Sequence, residues 1–199
     1  MNYKVLIAAT LATSVVRAGA SAVDEVTPQP WFKNGQPPAA TECAAGVDNE
    51  LAVRGGTPNI TLKCDKAAQG FVGIMQNFSA GSYLGKRVRF SALVKAEGVE
   101  GWAGLWMRID NTGKTGPAFD NMQNRPIKGT QDWTPYSVVL DVSQAADGIF
   151  FGVLMSGDKG QVWLSNVGFD VVGKETPTTM LSPASSEVRG EPGNLSLTR

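Results

Sequence analysis

Apolar and polar positions alternate along most of this chain, and the 3.6-residue period of an amphipathic helix is almost absent. Residues 86–95 put Val88, Phe90, Ala92 and Val94 on one face, with Arg87, Arg89, Ser91 and Lys95 on the other. Leu93 is the exception. Residues 134–142 alternate likewise through Tyr136, Val138, Leu140 and Val142. Residues 148–156 are apolar on both faces and predict a central strand. Residues 161–172 predict a last strand whose phase flips at Ser165 and Asn166, as a β-bulge makes it do. Fainter strands fall at 42–48, 59–64 and 70–78. Gly, Pro, Asn and Asp break the runs, and no βαβ spacing or internal repeat occurs. This pattern predicts an all-β fold, an antiparallel β-sandwich of the jelly-roll kind. The one helix-permissive stretch, 143–147, predicts a turn at most.

Residues 101–110 form the most informative strand. Ala103, Leu105, Met107 and Ile109 make a wholly apolar face, and Trp102, Gly104, Trp106, Arg108 and Asp110 make the other. A sandwich strand has one core face, and the first set has the better claim to it. The two tryptophans then point away from the core, about 14 Å apart along an extended strand. An aromatic platform flanked by a bidentate donor, Arg108, and an acceptor, Asp110, suits a sugar: its C–H face stacks on indole while its hydroxyls take hydrogen bonds. Tryptophan is also highly buried on average, so a second reading has a loop covering Trp102 and Trp106 and extending the core. The next segment carries Asp120, Asn121, Gln123 and Arg125 beside Phe119 and Met122. It reads as a polar loop or edge strand over the same face, or as a solvated hairpin whose edge Pro126 blunts. Trp133 follows and is a further candidate for that face. Asp110 with Asp120 is a carboxylate pair of the kind a glycosidase uses, though any two of the 18 acidic residues can be nominated as well.

The ends of the chain differ from its middle. A short cationic start, an apolar run to Val16 and small residues in an A-x-A pattern make residues 1–22 a secretory signal peptide, cleaved after Ala20 or Ala22. The run is too short to span a bilayer. Residues 23–29 form a short leader, 30–172 the sandwich domain, and 173–199 a tail. That tail, rich in Pro, Ser and Thr and without an aromatic residue, is expected to be disordered. The predicted location is secreted or periplasmic, with no stable membrane insertion after cleavage.

Charge and composition narrow the chemistry. The chain has 18 basic and 18 acidic residues, and Lys4 and Arg17 fall in the signal peptide, which leaves the remainder at a net charge of −2. That is no footprint for nucleic acid. Histidine is absent from all 199 residues, which excludes Ser-His and Cys-His nucleophiles and the commonest transition-metal ligand. No cofactor is implied. The two cysteines, Cys43 and Cys64, lie on adjacent candidate strands of a chain read as exported, and a disulfide is expected. If 43 stands opposite 64, Val47 faces Ile60. Asn59, Asn77 and Asn194 sit in N-x-S/T triplets, which are glycosylation acceptors only in a eukaryotic secretory path.

The chain resembles a poorly characterised bacterial jelly-roll domain. The resemblance runs through the Trp31-Phe32-Lys33-Asn34-Gly35 stretch, the Gly85-Lys86-Arg87-Val88-Arg89 stretch and residues 99–108, including Trp102, Gly104, Trp106 and Arg108. It continues through 119–130 and 151–162 and covers roughly residues 30–172. The domain occurs in exported proteins and beside helix-turn-helix regions of arabinose-type transcription regulators. The resemblance implies a galactose-binding-like sandwich and brings no secure ligand or activity. No DNA-binding helices accompany the domain here, so the regulator function does not carry over, and the cysteines are not part of the shared pattern. The expected function is a non-catalytic exported module that binds a carbohydrate or similar polar small molecule. The alternatives are a structural or protein-interaction sandwich and, behind it, a carboxylate-based glycoside hydrolase.

Overall fold

Alternating runs of this kind bury one face each when two sheets stack, and that is the arrangement found. The structure is a computed structural model of the chain, and it describes residues 23–49 and 59–180. The expected signal peptide, the Asn194 triplet and the tail beyond Met180 lie outside the described residues. The strands are β1 (Phe32–Gln36), β2 (Ala44–Asp48), β3 (Asn59–Cys64), β4 (Phe71–Ser79), β5 (Arg87–Asn111), β6 (Lys114–Asp120), β7 (Ile127–Asp141), β8 (Ala146–Ser156) and β9 (Gly160–Val172). A four-residue helix, α1 (Ala39–Glu42), and a 3-10 turn at Gly81–Tyr83 are the helical pieces among the described residues. Residues 143–145 turn into β8, as their composition suggests.

The two predicted strands at 86–95 and 101–110 are one strand, β5, which serves two sheets. Its second half, from Ala103 onward, pairs with β8 and β6. The first sheet therefore runs β1-β4-β8-β5-β6. Its first half, up to Glu97, pairs with β9. The second sheet runs β2-β3-β9-β5-β7. The strand passes from one sheet to the other between Glu97 and Ala103, where Gly98 has a φ of 57°. β7 follows it around this corner through three register shifts. All pairings are antiparallel, and the architecture is a jelly-roll β-sandwich.

The core lies between the sheets. Val88, Phe90, Ala92 and Val94 from the first half of β5 and Ala103, Leu105, Met107 and Ile109 from the second are all buried in it. Phe151 of β8 sits at its aromatic centre, with ring contacts to Trp31, Phe78, Phe90 and Phe169. The predicted phase flip in β9 is present: Asn166 has a φ of 49°, and the β5–β9 register shifts between Ser91 and Leu93.

Cys43 and Cys64 form a disulfide, with Cα atoms 4.5 Å apart. β2 and β3 are antiparallel with Val47 opposite Ile60, the register that brings the two cysteines together. Asn59 is fully buried, so its triplet is closed to a glycosyltransferase in the folded state, whereas Asn77 is exposed.

The segment after β9 departs from expectation over its first eight residues. Thr179 donates its backbone N–H to the Val139 carbonyl, and its hydroxyl accepts from the Val139 N–H. Arg87 holds the same segment through the carbonyls of Lys174 and Thr176. Met180 packs against the core. Backbone hydrogen bonds and one apolar anchor thus dock residues 173–180 along the outer edge of β7, which low aromatic content alone did not suggest.

Candidate functional site

The outer face of the first sheet collects alternate residues of its strands, since paired residues project to the same side. β5 contributes Trp102, Gly104, Trp106, Arg108 and Asp110. Opposite the last four, β8 places Leu154, Gly152, Phe150 and Gly148. Beyond them β4 places Gly73, Met75, Asn77 and Ser79. Phe119 of β6 stands opposite Arg108.

Trp106 lies on this face yet is only 5% exposed. Its strand neighbour is Gly152, whose own partner is Met75. With no side chain at Gly152, the indole packs with Met75 and Leu154 into a second small apolar cluster, against which Phe71, Trp102 and Phe150 lean. Trp106 is therefore a packing residue and not an open stacking ring. Trp102 is half-buried and lines a cavity of about 300 Å³ with Phe71, Phe119, Leu154, Gln36, Asn121 and Ser156. Phe119 is 41% exposed. The Trp102 backbone N–H donates to Ser156 Oγ at 2.9 Å, and Ser156 Oγ donates to Asp158 at 3.0 Å. This fixes the tryptophan's strand at the cavity rim.

Arg108 is a held group and not a loose donor. Its guanidinium carbon lies 4.5 Å from the centre of the Phe150 ring, a cation–π distance. Its Nη2 donates to the Asp110 carboxylate at 2.9 Å. Asp110, with 14% of its side chain exposed, is tied to that pair.

Asp120 and Arg125 do not line the face. Asp120 pairs with Met107, so its side chain takes the core phase, and 1% of it is exposed. Arg125 donates to both Asp120 oxygens, at 3.1 and 2.6 Å, and the Met122 N–H donates to one of them at 2.8 Å. The bidentate clamp folds the turn after β6 onto β5. A Cβ at Gly104 would lie 2.8 Å from the Asn121 carbonyl oxygen and 3.0 Å from Met122 Cβ. The bare backbone at Gly104 thus receives this turn and not a ligand. Because Asp110 and Asp120 occupy opposite phases of the sheet, they cannot flank a glycosidic bond as an acid–nucleophile pair.

Of the residues singled out from sequence, Trp102, Trp106, Arg108, Asp110 and Asn121 come together on this face. Asp120 and Arg125 form the clamp beside it. Gln123 is exposed in the turn and donates its backbone N–H to the Asn121 side-chain oxygen at 3.2 Å. Trp133 is half-buried on β7, in the stretch that pairs with the first half of β5, and so belongs to the second sheet. Phe71, Gln36, Leu154 and Ser156 were missed. Their membership depends on the registers β1–β4–β8, which a single sequence does not encode. Phe119 was noted only as the neighbour of the polar run.

A second cavity of about 620 Å³ opens at the other end of the same face. Asn77, Ser79, Asp110, Asn111, Asp147 and Phe150 are among the residues that line it. No group of three or more His, Cys, Asp or Glu suited to a metal occurs among the described residues.

No protein-family model matches the chain. It is 41% identical over 169 residues to an uncharacterized HTH-type transcriptional regulator, YbfP, of Bacillus subtilis (strain 168). That match covers 83% of this chain and 55% of the regulator, so the chain spans about half the length of this curated relative. Among solved structures it is similar to the CBM22-1 xylan-binding domain of Paenibacillus barcinonensis Xyn10C, at 17% identity and a TM-score of 0.51 over 77% of this chain and 97% of that one. It is also similar to the CBM22-1–GH10 modules of Clostridium thermocellum endo-1,4-β-D-xylanase 10B complexed with xylohexaose, at 13% identity and a TM-score of 0.54, over 78% of this chain and 28% of that one. At these identities the likeness is one of fold, and it agrees with the jelly-roll sandwich built above.

Proposed function

We propose that this chain is a non-catalytic carbohydrate-binding module whose site is the Trp102 cavity, and that it works outside the cytoplasm. The cavity itself carries the reading. Three aromatic side chains, Trp102, Phe71 and Phe119, meet there with the amides of Gln36 and Asn121 and the hydroxyl of Ser156. Apolar walls with a few placed polar groups suit a pyranose, whose faces are apolar and whose rim is hydroxylated. The solved sandwiches of the same fold include a xylan-binding domain, which favours a saccharide over other polar ligands. The Cys43–Cys64 disulfide supports an oxidising compartment.

The test is a glycan and polysaccharide screen on the protein, followed by calorimetric titration of each hit with the parent protein and with Trp102→Ala. A saccharide that binds the parent and loses nearly all affinity for the variant supports the reading. Binding unchanged by Trp102→Ala, or no binding across the screen, refutes it.

A further inference from the structure

The Trp102 cavity adjoins another at Gly70. That glycine also lines a cavity of about 290 Å³, together with Ala67, Ala68, Gln69, Gly157 and Asp158. Ser156 in the wall of the first cavity and Asp158 in the wall of the second are joined by a hydrogen bond of 3.0 Å. A Cβ at Gly101 would overlap Asp158 Oδ2 and Ser156 Oγ, so the bare backbone ahead of Trp102 lets this pair lie against β5. Backbone hydrogen bonds hold the floor of the second cavity. Gly157 donates its N–H to the Gly70 carbonyl at 2.9 Å, Ala68 donates its N–H to the Gly157 carbonyl, and Ala39 of α1 donates its N–H to the Gln69 carbonyl at 2.9 Å. A ligand meets a shape already in place, which lowers the ordering cost of binding.

We propose that the two cavities are consecutive subsites for one glycan, with the second sugar over Gly70 between Gln69 and Asp158, and that their junction selects a neutral sugar with free hydroxyls. This rests on the reading that the Trp102 cavity holds a sugar. The hydrogen-bond inventory sets the chemistry. Ser156 Oγ accepts from the Trp102 N–H at 2.9 Å and gives its one proton to Asp158. The lone pair that it has left can only accept, and a carboxylate can only accept. A ligand group at the junction must therefore donate, which a sugar hydroxyl does and an O-acetyl, O-methyl or fluorine substituent does not. A hydroxyl that donates to Asp158 forms a charge-assisted hydrogen bond, stronger than one between neutral groups. Asp158 is half-buried beside that junction, and the exposed Gln69 lines the same cavity with an amide that can both donate and accept.

The experiment is calorimetric titration of the full chain with xylose, glucose and mannose oligosaccharides of one to four units. The variants are Gln69→Ala, Asp158→Ala, Trp102→Ala and, at the far end of the sheet face, Asn77→Ala. Affinity should rise about tenfold from one sugar to two, the effect of a hydrogen bond to a charged group. Gln69→Ala and Asp158→Ala should each reduce that rise, and Asn77→Ala should leave it intact. Gln69 is exposed and bonds through its backbone, so its variant keeps the test readable if Asp158→Ala fails to fold. Disaccharides with single hydroxyls of either unit replaced by fluorine check the donor requirement: one position at least should lose about tenfold in the parent and much less in Asp158→Ala. Affinity that is flat from one sugar to two overturns the second subsite, and the Trp102 site stands if Trp102→Ala still abolishes binding. A rise lost in Asn77→Ala and kept in Gln69→Ala also overturns it, because the glycan then runs along the strand face. Fluorine tolerated at every position overturns the donor requirement. If no sugar binds at any length, both sites fall.

Discussion

Trp106 and Trp102 lie two periods of the β alternation apart and share a face, yet they do different work. Trp106 is nearly as buried as Leu105, because Gly152 beside it leaves room for the indole to reach Met75. Trp106→Ala should therefore cost about 3–5 kcal/mol, and Leu105→Ala about 2–5 kcal/mol. Trp102→Ala should cost clearly less than either, because its ring stands at a cavity. Denaturant curves on the three variants measure this, and a Trp106→Ala protein as stable as the parent would contradict the packing described. The alternation that assigns Leu105 to the core is legible in sequence, since it depends only on period two. The burial of Trp106 is not, because it depends on what β8 and β4 place beside it. Arg125 shows the same limit over a shorter span. Its charge and its proximity to Asp120 are plain in the sequence, but nothing local says that the carboxylate takes the core phase and draws the arginine away from the face.

At the scale of the elements, two devices secure the second sheet. One is the disulfide between the helix end and β3. Closing a loop with a sequence separation of 21 restricts the unfolded chain and should contribute about 3 kcal/mol. Cys43→Ser combined with Cys64→Ser should lower the unfolding free energy by that amount, as should reductant acting on the parent. Unreduced protein that carries two alkylatable thiols would refute the bridge. The other device is the ion network at the end of β5. Arg87 makes a two-pronged contact with Asp141, and Lys174 from the docked segment joins it at 2.7 Å. The Arg87 hydrogen bond is the largest cause that holds the Asp141 carboxyl at about 2, below its ordinary 3.8. A carboxyl with a depressed pKa stabilises the fold above its unfolded value and loses that contribution as pH falls through the folded one. The thermal midpoint of the parent should thus exceed that of Asp141→Asn at neutral pH, and the gap should close between about pH 4 and pH 2. A gap of constant size down to pH 2 would mean that the network does not act through ionised Asp141. The alternation of these strands and the cysteine register were readable in advance. The network was not, because Arg87 and Lys174 lie 87 residues apart.

For the molecule as a whole, the decisive feature is where the two ends of the described domain lie. The second sheet has β2 and β7 as its edges. Asp24, ahead of the first strand, exchanges two backbone hydrogen bonds with Val47 of β2, at 3.0 and 2.8 Å. Thr179, after the last strand, satisfies Val139 of β7. Each edge thus has a piece of non-strand chain laid against it. The boundaries suggested by sequence, 30 and 172, leave both pieces outside the domain, because composition marks where strands stop and not where backbone groups find partners. An open edge of unpaired N–H and C=O groups is a template for another copy. A protein trimmed to residues 30–172 should self-associate where one spanning 23–180 stays monodisperse, as light scattering over a concentration series would show. Equal monodispersity of the two would mean that the edges need no cover. Self-association of the trimmed protein alone would make the short segments that flank this sandwich guards against aggregation, a role independent of any ligand.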